Sequence, residues 1–221
     1  MLSGDVSGVL LVYIYVAILL ITTEKIIEGR PELSRKFLHI MVGNIAFLLP
    51  IFNTAWIMAF IAAAPFIPLT FLMSPNTPIK SIRGRTSAAG HGMGLVYYVI
   101  TWTILAYLFF DNMVVIGVAI LAMSYGDGFA SVIGIRFGKK KYNICGDEKS
   151  YVGSFSMFVF TFIMTIVATL YYGLDITNYL LIVLLFISFV AAIVEGITPK
   201  GLDNLTVPFS AVILYWFLIL L

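Results

Sequence analysis

Apolar runs of about bilayer length dominate this chain and leave few ways to fold it. A hydrocarbon core is crossed by roughly 20 apolar residues of helix. Eight stretches come near that length: about 6–23, 36–52, 54–72, 94–110, 113–135, 154–173, 177–197 and 206–221. Of the 221 residues, 61% are apolar and 11% charged, against about 45–50% and about 25% in soluble domains. That excludes an ordinary water-soluble globule, and it is the opposite of a disordered chain. The expectation is an all-α polytopic membrane protein with about eight transmembrane helices, forming a single integral-membrane domain over residues 1–221. The second and third runs are separated only by Phe52 and Asn53, after Pro50, which suits a tight hairpin. The N-terminus lacks a basic region and a small-residue cleavage site, so the first run is expected to stay as a span. Cys145 is the only cysteine, which excludes a disulfide framework within the chain and a Cys-based zinc site. No nucleic-acid partner is expected.

The formal net charge of +2 says little, but the placement of the charges says more. Lys25, Arg30, Arg35 and Lys36 lie between the first two runs, and Lys80, Arg83 and Arg85 between the third and fourth. Arg136, Lys139, Lys140, Lys141 and Lys149 lie between the fifth and sixth, and Lys200 between the last two. With eight spans, all thirteen Lys and Arg fall on one face, and Asp5, Asp111 and Asp175 fall on the other. Short cytoplasmic loops carry the excess of Lys and Arg, so the basic face is expected to be cytoplasmic and both termini external. The connections on that face are the longer ones, and loops carry function more often than scaffolds do. The candidate catalytic face is therefore the cytoplasmic one.

Five segments on that face carry unusual polar residues. Arg35-Lys36-Phe37-Leu38-His39 opens the second run; the basic pair either anchors the helix at lipid headgroups or meets a ligand. Ser124-Tyr125-Gly126-Asp127-Gly128-Phe129-Ala130-Ser131 lies inside the fifth run. Asp127 stands about 15 residues, or roughly 22 Å, past its outer end. An intramembrane acid is costly against lipid and has to face a cavity, a cation or a partner. Ser124, Asp127, Gly128, Ser131, Gly134 and Gly138 recur at helical spacing as a small-residue face, which suits close helix packing but does not account for the carboxylate.

The third segment is Gly138-Lys139-Lys140-Lys141 with Lys149-Ser150-Tyr151-Val152-Gly153-Ser154. Lysines among small hydroxyl residues suit an anion with several phosphates, and the N–H groups at Gly153 and Ser154 suit an anion at a helix start. A plain topology signal or an anionic-lipid patch is the competing reading. The spacing is not that of a Walker A loop. The fourth segment joins Glu195-Gly196 to Gly201-Leu202-Asp203-Asn204-Leu205-Thr206-Val207-Pro208. Asp203 and Asn204 are oxygen ligands of the kind Mg²⁺ takes, or else the cap of the last helix. A fifth segment, from Ile79 to His91 with Arg83, Arg85 and Ser87, reads as a flexible loop with no assigned role. The scattered methionines read as packing.

Three carboxylates, Asp127, Glu195 and Asp203, thus share a face with several lysines and arginines, beside apolar bulk that suits a lipid chain. Cations held by carboxylates, together with Lys and Arg, clamp transferring phosphates. The residues alone point to a lipid-modifying phosphoryl or nucleotidyl transfer enzyme.

The ordered set resembles the polyprenol kinase family, which includes phytol and dolichol kinases. The pieces are Arg35-Lys36 with His39, Gly126 to Ala130, Gly134 with Phe137-Gly138-Lys139, Lys149 to Ser154, Glu195, and Asp203 to Pro208. The stretch Asn143 to Glu148 matches nothing in that pattern. The resemblance implies a CTP-dependent kinase that phosphorylates an isoprenoid alcohol (phytol, geranylgeraniol or a dolichol-like polyprenol) with Mg²⁺ or another divalent cation. It also implies distant kinship with phosphatidate cytidylyltransferases. It casts Asp127, Asp203, Glu195 and Lys149 as catalytic, with Asp127 and Asp203 on the metal. Arg136, Lys139, Lys140, Lys141, Lys149, Ser150, Gly153 and Ser154 fall to the nucleotide, and Arg35, Lys36, His39 and Asn204 to the alcohol end. Two rivals stand beside this. One is a cytidylyltransferase making a CDP-activated lipid. The other is a transporter using Asp127 and Glu195 as ion-coupling acids, which the lack of repeats and the one-sided polar residues disfavour. A cell with a single membrane would carry the protein there.

Overall fold

The computed structural model of the chain describes residues 3–26, 31–78, 92–144, 147–199 and 201–220. The segment 79–91, with Arg83, Arg85, Ser87 and His91, lies outside the described residues, as do Arg30, Cys145 and Lys200. The described chain is almost wholly helical and forms two compact units, residues 1–111 and 112–221.

In the first unit, α1 (Ser3–Ile21) ends in a π turn over Thr22–Ile26. Leu10, Ile14 and Ile18 recur every four residues on its exposed side, and Val12, Val16 and Leu19 are buried opposite. An apolar stripe left outside a packed helix is what lipid, rather than water, accepts. The run expected over 36–52 is not one α-helix. It is α2 (Pro31–Val42) continued as a tighter 3₁₀ segment, Gly43–Ile51, with Pro50 near its end. The chain then turns at residues 52–54 into α3 (Ile57–Met73), which begins with a π segment. Asp5 of α1 holds that turn: its Oδ1 accepts the N–H of Asn53 (2.9 Å) and of Thr54 (3.1 Å), and its Oδ2 accepts the Thr54 hydroxyl (2.8 Å). This acid is fully buried and works as structure. The unit closes with α4 (Gly94–Leu108).

The second unit is built around α5, continuous over Phe110–Phe137 and 78% buried in its most apolar window. It is α-helical over Met113–Leu121, a π-helix over Ala122–Asp127, and α-helical again over Gly128–Phe137. A two-stranded antiparallel hairpin follows, β1 (Lys141–Ile144) and β2 (Asp147–Ser150), where the sequence had suggested only a loop. Then come α6 (Tyr151–Tyr171), α7 (Asn178–Ile197) and α8 (Asp203–Leu220). Among the described residues, five helices are long and apolar enough to cross a membrane: α1, α5, α6, α7 and α8. The apolar α3 and α4 are shorter.

Candidate active site

Three carboxylates of the second unit sit where a helix ends or changes form. Asp127 ends the π segment of α5, where the wider turn reorients the side chains that follow. Just before it, Gly126 faces Met157 and Thr161 of α6 so closely that a Cβ would overlap both, and α6 can approach because none is there. Glu195 lies in the last turn of α7 and is buried. Asp203 is the first residue of α8. The chain reverses between these two helices through Gly201, whose φ of +79° lies in the left-handed region that side chains disfavour. Asn204 ties the reversal down: its Nδ2 donates to the Gly201 carbonyl (3.1 Å), and its own N–H donates to Asp203 Oδ1 (3.0 Å). Leu202, not Asp203, occupies the position before the helix, and no side chain caps it. Asp203 at the helix start is favoured instead by the helix dipole.

These three acids meet. Asp127, Glu195 and Asp203 each place a carboxylate oxygen within 4.8 Å of the others. The hairpin brings the counter-charge. Side chains alternate across a strand, and Tyr142 and Lys149 pair across β1 and β2. Tyr142 shares a 2.6 Å hydrogen bond with the Ser154 hydroxyl. Lys149 Nζ lies 2.6 Å from Glu195 Oε1 and 3.8 Å from Asp203 Oδ2, and also donates to the Glu195 backbone carbonyl. Burial opposes the Lys149 charge, but Glu195 and Asp203 outweigh it and hold its pKa above the ordinary lysine value.

Other residues singled out by sequence are placed differently. Ser150 caps α6, with its Oγ accepting the Gly153 N–H at 3.0 Å, so that N–H already serves the fold. The Ser154 hydroxyl is engaged by Tyr142. Gly134, Gly138 and Gly153 pack around the Ser150 side chain, which is the close-packing role of the small-residue face. Lys139 and Lys140 are exposed, Lys141 pairs with Glu148 at 2.5 Å, and exposed Arg136 lies over the Phe137 ring at 5.4 Å. Arg35, Lys36 and His39 belong to the first unit, where His39 is buried edge-on to Tyr98 at 5.3 Å. Tyr142 was missed by sequence reasoning. The signal for its hairpin was Lys-Tyr-Asn-Ile and Asp-Glu-Lys-Ser flanking two residues that end in glycine.

Three carboxylates gathered beside one ammonium offer the hard oxygen donors that suit a divalent cation. A phytol kinase of Synechocystis sp. is 30% identical over 190 residues, covering 84% of this chain and 78% of that protein. The chain belongs to the phytol kinase family. Phytol kinase 1 of Arabidopsis thaliana, a chloroplastic protein, is 33% identical over 204 residues. That match covers 82% of this chain but only 65% of the longer plant protein. No family model and no solved structure matches the chain. The polyprenol kinase resemblance carried by the motifs and the whole-chain similarity thus lead to the same family.

Proposed function

We propose that this chain transfers the γ-phosphoryl group of CTP to the hydroxyl of an isoprenoid alcohol such as phytol or geranylgeraniol, giving the lipid monophosphate and CDP. The observation that carries the reading is the convergence of Asp127, Glu195 and Asp203 with Lys149, in a chain of this family. Asp127 and Asp203, joined by Glu195, would hold Mg²⁺, which when bound neutralises the charge on the phosphates. Lys149 stays protonated beside the acids and presents a fixed positive charge to the triphosphate. The exposed Lys139 and Lys140 add charge around the approach to it. In the transfer, a bond forms from the alcohol oxygen to the γ-phosphorus, the bond from that phosphorus to the leaving CDP oxygen breaks, and the hydroxyl proton passes to a carboxylate or to water. Positioning and charge neutralisation supply the rate.

In this reading the chain crosses the membrane eight times with its basic connections on the cytoplasmic side. Helix lengths support that count. Counted from Phe37, past the charged first turns of α2, that helix and its 3₁₀ continuation add up to roughly 27 Å at their respective rises. The 17 residues of α3 and 15 of α4 give about 25 and 22 Å, near a core of about 30 Å.

The test supplies CTP labelled at either the γ- or the α-phosphate, with geranylgeraniol or phytol as acceptor. A kinase moves only the γ-label into lipid and releases CDP. Label in lipid from α-labelled CTP alone, with pyrophosphate released, makes the chain a cytidylyltransferase instead.

A further inference from the structure

Within the unit of residues 1–111 the helices leave a cavity that is open to the outside, with about 780 Å³ of empty space once the open region at its mouth is included. Val16 of α1, Ile45 of the 3₁₀ segment, Ala63 and Phe66 of α3, and Trp102 of α4 contribute to its largely hydrocarbon wall. The cavity is elongated. Its lining on α1 runs from Val12 to Leu20, about 12 Å of helix, and on α4 from Leu95 to Trp102, about 10 Å. At the end where α1 finishes and α4 begins, His39 and Tyr98 line it, and Arg35 and Lys36 lie one turn earlier on α2. Exposed Leu69 lies on the rim.

Such a space does not hold water, because an ordered buried water needs two to four polar partners and most of this wall offers none. Left empty, it would forfeit dispersion contacts along its whole length. A hydrocarbon chain with one polar end would fit both the apolar wall and the His39 end. A bilayer lipid brings two chains and a charged headgroup, whereas a prenol brings one chain and a neutral hydroxyl that one or two hydrogen bonds satisfy. We propose that this slot binds the isoprenoid tail of the alcohol, with the hydroxyl end toward His39. The inference rests on the kinase reading above and gives that substrate a place.

The experiment uses geranylgeraniol carrying a diazirine at the far end of its tail, irradiated with the full chain in lipid nanodiscs, followed by peptide mapping. Label is expected on the α3 and α4 walls of the slot, around Ala63 and Trp102. Excess phytol or unlabelled geranylgeraniol suppresses it, and excess oleyl alcohol or added phosphatidylcholine does not. Ala63→Phe, which fills the slot, is expected to raise KM for geranylgeraniol about tenfold while leaving KM for CTP unchanged. Label elsewhere overturns the proposal, and so does equal suppression by oleyl alcohol, which makes the slot a general lipid site. Because labelling needs no turnover, capture in the slot without phosphoryl transfer removes the kinase reading and keeps the slot. Transfer with label elsewhere does the reverse. Labelling of the unsubstituted protein decides the matter even where Ala63→Phe fails to fold.

Discussion

Lys149 grips Glu195 twice: its ammonium lies 2.6 Å from the carboxylate Oε1 and also donates to the backbone carbonyl of the same residue. One side chain thereby staples the β-hairpin to the end of α7 and sets a positive charge among three acids. Lys149→Met leaves the buried Glu195 without its partner, and breaking such a pair by removing one member costs about 3–5 kcal/mol. A matching fall in thermal stability is expected in detergent. Adding Glu195→Gln should recover part of it, because the two losses are coupled. Strictly additive losses in the double variant would show that the pair contributes nothing.

The same pair sets a pH dependence. The Lys149 pKa is raised above its ordinary 10.5 by Glu195 and Asp203, against the opposing effect of burial. A group raised on folding contributes fully below its unfolded pKa, and the contribution is lost as pH rises through the folded one. The stability gap between the parent protein and Lys149→Met should therefore not close between neutral pH and that ordinary value, and should close only above it. Thermal unfolding across that range checks this, and a gap already closing between pH 7 and pH 9 contradicts it.

Asp127→Asn keeps the side-chain size and removes one charge from the acidic cluster. Turnover is expected to fall at least about a hundredfold, with weaker Mn²⁺ binding by calorimetry and normal insertion into the membrane. Asp203→Ala should behave alike. Near-normal turnover in a well-folded Asp127→Asn protein would return that residue to a packing role.

Asp5 is the contrasting case, an acid that serves only the turn between the 3₁₀ segment and α3. Asp5→Ala removes the acceptor of two backbone N–H groups and one hydroxyl, with an expected stability loss of roughly 2–3 kcal/mol. Activity per folded molecule should be unchanged below the melting transition. A specific loss of turnover, with stability intact, would place Asp5 in the chemistry instead.

Gly134 tests the packing beneath the hairpin. A Cβ there would lie 2.8 Å from Ser150 Oγ and 3.3 Å from Gly153 Cα, so Gly134→Ala needs the capping Ser150 hydroxyl to shift and α6 to give by a few tenths of an ångström. Overpacking of this kind costs about 1–3 kcal/mol. Because Ser150 directly follows Lys149, turnover should fall together with the melting temperature. Unchanged stability would mean that this contact is loose.

Much of the helix plan was legible because hydropathy and length are local properties. The runs read at 154–173 and 177–197 correspond to Tyr151–Tyr171 and Asn178–Ile197. The 36–52 run was read as one helix, but its second half tightened to a 3₁₀ form that composition does not signal. The hairpin went unread because its alternation is carried by charged and polar residues, not by apolar ones.

By itself the sequence determined that this is a helical membrane protein of the polyprenol kinase type. The apolar runs demand helices in lipid, and an acid such as Asp127 within one of them is too costly to be idle. Tertiary structure alone decided which charges act together. Lys139, Lys140, Lys141 and Lys149 carry the same charge in one short stretch, yet among them strand alternation and the Tyr142 pairing turn Lys149 toward Glu195 and Asp203. Glu195 and Asp203 share a site because the left-handed turn at Gly201 folds α8 back onto α7, and Asp127 joins them at the end of a π segment. Asp127 and Lys149 reach the Glu195–Asp203 pair from a helix and a strand far from it in the chain, and those distances exist only once the packing is made.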